Sequence, residues 1–123
     1  MMNGRRGEDL AQRTKQFALR IIRLYAKLPR SGAAETIGKQ LLRSGTSVGA
    51  QYREAMRARS SAEFVSKTAA ALQELEETSY WIELLGDAEI ISASRLADLQ
   101  KESNELIAIL VASIKTAKRR QEK

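Results

Sequence analysis

The chain contains no cysteine and no histidine. The first absence removes disulfides and thiol nucleophiles, and the second removes imidazole acid/base chemistry; together they take away the usual zinc ligands. Aromatic residues are scarce. Phe17, Tyr25, Tyr52, Phe64, Tyr80 and Trp81 are all there are, and most fall near core stripes, so platforms for stacking single-stranded bases are not expected. The longest apolar run near the C-terminus, Leu106 to Ala112, has seven residues, far short of the roughly 20 that span a bilayer. No signal peptide is recognisable either, because Arg5, Arg6, Glu8 and Asp9 lead into no apolar segment of the needed length. These absences together point to a cytoplasmic protein without a membrane partner. A length of 123 residues suits one domain with one core.

What the chain has is periodicity. A first helix is predicted over about 8–28, opened by Glu8 and Asp9 and closed by the only proline, Pro29. Its apolar stripe reads Leu10, Thr14, Phe17, Ile21, Leu24 and Leu28. Ser31 can cap a second helix over about 32–56. Ser60 followed three residues later by Glu63 is a capping box that starts a third helix, about 61–85, with Gly86 as its expected C-cap. In it Phe64, Thr68, Ala71, Leu75, Thr78, Ile82 and Leu85 alternate four and three. Ile91, Ser92 and Leu96 form a hydrophobic staple around an N-cap, and the fourth helix runs over about 93–118, followed by a basic tail. Three short connectors make neighbouring helices antiparallel, so the fold class is all-α, an up-down-up-down four-helix bundle.

The most informative stretch is Leu41–Glu54, where small residues fill the chain from Ser44 to Ala50. Composition alone allows a loop. Phase argues for a helix: Ile37, Leu41, Ser44, Val48, Gln51 and Ala55 are spaced four, three, four, three, four, so the stripe resumes in register on leaving the run. Glycine inside a helix costs roughly 1 kcal/mol relative to alanine, and close approach of another helix supplies the reason for Gly45 and Gly49. Ser44, Gly45, Ser47, Val48, Gly49 and Ala50 are therefore the candidates for close helix packing.

Charge is uneven. Residues 1–59 hold 13 Lys/Arg against 4 Asp/Glu, a balance of +9, and residues 60–123 hold 8 against 11, a balance of −3. Arg13, Gln16, Arg20, Arg23, Lys27 and Arg30 fall on one strip of the first helix, about 100° from its core stripe. Lys115, Lys118, Arg119, Arg120 and Lys123 make a second basic group. Arg13, Arg20, Arg23, Lys27, Arg30, Lys118, Arg119 and Arg120 are candidate contacts to RNA or DNA phosphate. The competing explanation pairs the first helix's cations with carboxylates of the third, Glu74 and Glu77 among them. The acidic cluster Glu74, Glu76, Glu77 and Glu83 invites a di-iron reading, but that pattern needs Glu-x-x-His elements the chain lacks. No phosphate-cradling glycine motif, dinucleotide fingerprint or nucleophile with a base is present, so neither an enzyme nor a cofactor is expected.

With these residues in place, the chain resembles the four-helix-bundle proteins of 23S rRNA intervening sequences. The resemblance covers nearly the whole chain and rests on Phe17, Tyr25 and Pro29, on Gln40-Leu41-Leu42-Arg43-Ser44 running into Ser47-Val48-Gly49-Ala50 and Glu54, and on Glu63-Phe64 and Ala71–Leu85. It departs where Gln51-Tyr52 and Glu54-Ala55 stand for the family's Asn-Ile and Glu-Gly. The resemblance implies an antiparallel bundle that assembles as a ring, commonly a homopentamer. Two functions follow as expectations: nucleic-acid binding without sequence readout, or a structural module whose partner is another protein.

Overall fold

A computed structural model describes residues 4–122 of the chain and shows four helices: α1 Gly4–Lys27, α2 Gly32–Met56, α3 Ser61–Asp87 and α4 Ala93–Gln121. The helix α1 begins a turn before Glu8 and Asp9, with no acid in its first turn. Packing rather than charge holds this end. Gly7 is buried, and a Cβ there would stand 3.2 Å from Met56 Cε and 3.7 Å from Tyr52 Oη of α2. Leu28 donates its N–H back to Tyr25 O at 3.1 Å, and Pro29 follows where the helix stops. Ser31 holds extended N-cap geometry, but its hydroxyl makes no capping bond.

The run Ser44–Ala50 is helical throughout, inside the unbroken α2. At the next junction the expected capping box forms on one side: Glu63 N–H donates to Ser60 Oγ at 3.1 Å. The other end of α3 corrects the sequence expectation. Gly86 is not the C-cap; the helix continues to Asp87, and the left-handed residue is Glu89, with φ 59°. Glu89 N–H donates to Gly86 O and Ile90 N–H to Leu85 O, both at 3.0 Å, which is the paired bonding of a Schellman stop. Gly86 has a different use, since a Cβ there would lie 3.9 Å from Ala93 Cα and 3.5 Å from Leu96 Cδ1 of α4. Lys118, Arg119 and Arg120 are the last turn of α4 rather than a tail, and Lys123 lies outside the described residues.

Each helix packs on its neighbours in chain order, α1 on α2 on α3 on α4, while α1 and α3 sit diagonally and α4 returns to α1 with few close backbone approaches. The partners fix direction. Gly38 meets Leu28, Gly45 meets Ile21 and Gly49 meets Thr14, so numbers rise along α2 as they fall along α1. Arg43 reaches Glu77 while Glu54 reaches Lys67, giving the same reversal between α2 and α3. Between α3 and α4, Gly86 meets Leu96 and Ser79 meets Gln100. The result is the expected up-down-up-down bundle.

The core follows the four stripes. Phe17, Ile21, Leu41, Leu75, Leu85 and Leu106 are at most 1 % exposed, and each such side chain contributes roughly 1.5–3 kcal/mol by leaving water. Small hydroxyl residues interrupt every stripe. Thr14 returns its proton to the α1 backbone, at 2.9 Å from Leu10 O. Thr78 donates across the α2–α3 seam to Ser44 Oγ at 2.8 Å.

Candidate nucleic-acid interface

Gly45 and Gly49 are points of contact between α2 and α1. A Cβ at Gly45 would come within 2.8 Å of both Ile21 Cγ1 and Cγ2, and one at Gly49 within 3.1 Å of Thr14 Oγ1. Ser44 and Val48 are fully buried, Ser44 facing α3 through Thr78. The outer part of the run differs. Ser47 is half-buried and bonds its own helix at Arg43 O (2.6 Å), and Ala50 is exposed, so neither sits at the close approach.

The cationic strip of α1 is shorter than its sequence pattern. Arg13 is taken by α4: its Nε and Nη2 donate to the two oxygens of Glu102 at 2.8 Å, and Nη2 also to Glu105 at 2.7 Å. This fork holds the Glu102 carboxyl below its usual range, mainly by hydrogen bonding, and raises the Arg13 guanidinium. Arg20, Arg23 and Lys27 lie along α1 and Arg30 in the connector beyond it; none forms an ion pair with a described residue. The competing picture, α1 cations paired to α3 carboxylates, is overturned. Glu74 and Glu77 are held by Arg43 of α2, at 3.2 and 2.9 Å. Geometry explains this, because α1 and α3 are diagonal and cannot share a seam.

The two basic groups are also not one patch. Lys27 and Arg30 lie at one end of the bundle and Lys118, Arg119 and Arg120 at the other, separated by the length of α1, about 36 Å at 1.5 Å per residue. The sequence reading missed what joins the second group. Because α2 and α4 run parallel, Arg53, Arg57 and Arg59 share that end with Lys115, Lys118, Arg119 and Arg120. The up-down topology was the available signal. None of these seven cations forms an ion pair with a described residue.

Among the described residues three large apolar side chains are exposed: Met56 at the end of α2 (40 %) and, on diagonal helices, Ile22 of α1 (44 %) and Tyr80 of α3 (53 %). Tyr80 packs on Trp81 with ring centroids 5.2 Å apart. Trp81 and Leu84, beside it on α3, are half-buried. Among the described residues no cluster of three or more acidic side chains could hold a metal, and no helix is long and apolar enough to cross a membrane.

Comparison with known proteins agrees with this architecture. No curated protein matches the chain. A solved structure does: a protein of unknown function from the S23 ribosomal protein family of Bacteroides thetaiotaomicron VPI-5482 is 38 % identical, with a TM-score of 0.79, over 86 % of this chain and 98 % of that one. The family model described as 23S rRNA-intervening sequence protein matches residues 8–112. A match that spans all four helices, on stripes and seams that the fold uses, means that the chain belongs to the 23S rRNA-intervening sequence protein family.

Proposed function

We propose that the protein is a non-enzymatic, self-assembling bundle that binds nucleic-acid phosphate without reading base sequence. The observation that carries this reading is the division among the cations. Arg13, Arg43 and Lys67 are neutralised by carboxylates, whereas Arg20, Arg23, Lys27, Arg30, Lys118, Arg119 and Arg120 have no ion-pair partner among the described residues. Unpaired surface cations set against a polyanion release its counterions, and that term needs no base contacts.

Self-assembly draws on the diagonal placement of Ile22 and Tyr80. Two different apolar faces on opposite sides of one subunit suit a head-to-tail contact, the class that closes into rings. Five subunits is the count the resemblance implies. Repetition around a ring would multiply a weak per-subunit attraction.

The test is retention of labelled RNA and double-stranded DNA over a salt series. Affinity should fall linearly in log-log form with salt, alike for unrelated sequences. Arg20→Glu, Arg23→Glu and Lys27→Glu combined should abolish retention while leaving the assembly mass unchanged in light scattering. Ile22→Asp or Tyr80→Ser should instead lower that mass. A wild-type protein that retains neither RNA nor DNA at low salt removes the nucleic-acid reading. The exposed Tyr80 would then favour the second one, a module whose partner is another protein.

A further inference from the structure

Where α2 and α4 end and α3 begins, the helices leave a cavity of about 560 Å³. That is within the range, roughly 300–1,000 Å³, of pockets that hold small organic ligands. Its walls are mainly apolar, with Ala55, Met56, Phe64 and Ala117 among them, and its rim carries Arg59 and Arg120. Both guanidiniums are exposed and without an ion-pair partner among the described residues. Arg59 belongs to the α2–α3 connector and Arg120 to the last turn of α4, so separate elements bring them to one opening.

The start of α3 adds a second source of positive potential. Ser60 Oγ accepts from Glu63 N–H, and Phe64 N–H donates to Ser60 O. The N–H groups of Ser61 and Ala62 are left without an acceptor among the described residues, and Ser61 lines the cavity. Free N–H groups at the positive end of a helix are a ready anion contact.

A third, independent observation lies in the cavity floor. Tyr52 is 0 % exposed, lines the cavity, and its phenolic oxygen has no hydrogen-bond partner. A buried hydroxyl ordinarily finds one, and an orphan is informative where a pocket adjoins it. Met56, one turn further along α2, lies near this phenol: a Cβ built on Gly7 would stand 3.2 Å from its terminal methyl and 3.7 Å from the phenolic oxygen. Met56 is also 40 % exposed, and methionine's flexible thioether repacks readily. Displacing its methyl opens the phenol to an entering group.

We propose that this cavity binds a small amphiphilic carboxylate, an organic acid with an alkyl or aryl body. The carboxylate sits at the mouth on Arg59, Arg120 and the free N–H groups of α3, where a planar two-oxygen head suits guanidinium donors. The body lies against Phe64, Ala117 and Ala55 and displaces the Met56 methyl. An alcohol lacks the charge this mouth selects, and an ammonium carries the wrong sign. The site shares Arg120 with the proposed phosphate contacts, but the triple charge reversal on α1 that tests that reading leaves every cavity residue in place.

The experiment is isothermal titration calorimetry of the full chain with decanoate, below its micelle concentration, beside decanol and decylamine. Decanoate should bind at least about tenfold more tightly than either control. Arg59→Gln with Arg120→Gln, both on exposed residues, should weaken decanoate at least about tenfold and leave the ligand-free melting temperature unchanged. Tyr52→Phe should raise the ligand-free melting temperature by removing the orphaned hydroxyl and leave decanoate binding intact, because the alkyl body offers the phenol no hydrogen-bond partner. Equal binding of decanoate and decanol would overturn the proposal, as would unchanged binding to the double arginine variant. So would a short 5′-phosphorylated oligonucleotide occupying the cavity while decanoate does not.

Discussion

Helix α1 is fastened along its two edges by different physics. Against α2 the approach is so close that a Cβ has no room at Gly45, where it would stand 2.8 Å from two carbons of Ile21, and little at Gly49 beside Thr14. Against α4 close backbone approaches are few, and a long charged fork from Arg13 to Glu102 and Glu105 crosses the gap. The tight seam draws on dispersion and fixes the register of two helices, because a shift of one residue would drive a side chain into a backbone. The open seam draws on ions that remain partly in water, with the Arg13 side chain 36 % exposed and Glu102 19 %. Pairs of that kind contribute little and tolerate small displacements. The chain therefore places its specificity on the α1–α2 edge.

The largest expected effect breaks the tight edge. Gly49→Leu puts a branched side chain against Thr14, whose carbonyl carbon is 3.6 Å from the new Cβ; backbone cannot rotate aside, so the cost should be about 3 kcal/mol. Chemical denaturation should show a lower midpoint. An unchanged midpoint would mean that the seam is looser than these distances. A smaller version sharpens the same comparison. Gly45→Ala gains roughly 1 kcal/mol of helix propensity but pushes on the Ile21 carbons nearest its backbone, for a net loss of about 1 kcal/mol. Ile21→Ala removes the obstructing atoms, so in the double variant the glycine substitution should become neutral or favourable. A double-mutant cycle reads this coupling directly.

The two edges were not equally legible in the sequence. The four-three phase through Ser44, Val48 and Gln51 required a helix, and the two glycines then required a close neighbour; a seam written in residue size can be read from residue type. The open edge is written in long charged side chains, whose partners depend on which helices share a seam. That is why Arg13 looked like part of a free strip, and why Glu74 and Glu77 were candidates for α1 when Arg43 holds them. Helix ends failed for a related reason. Gly86 has the composition of a cap, yet packing of Ile90 and Ile91 against the core fixes the stop at Glu89. The basic end and the cavity beside Tyr52 assemble only once α2 and α4 are known to end together.

The smallest effect tests the open edge, and it carries a pH dependence whose direction follows from the fork. Glu102 has its carboxyl lowered in the folded state by the hydrogen bonds from Arg13, so the unfolded chain takes up its proton first as pH falls. The stabilisation is complete above the unfolded carboxylate value, about 4.3, and disappears as pH drops through the lower folded value. Glu102→Gln should therefore cost about 1 kcal/mol at pH 7, the lower range for a charge-assisted bond after solvent screening. As pH falls below that unfolded value the two proteins should converge in stability, since the wild-type carboxylate is then losing its charge as well. Raising salt should narrow the difference at pH 7 and leave the Gly45→Ala loss untouched, because screening acts on ions and not on steric overlap. A Glu102→Gln cost as large as that of Gly49→Leu, insensitive to salt and pH, would mean that the fork is as structural as the glycine seam, and the contrast between the two edges of α1 would fall.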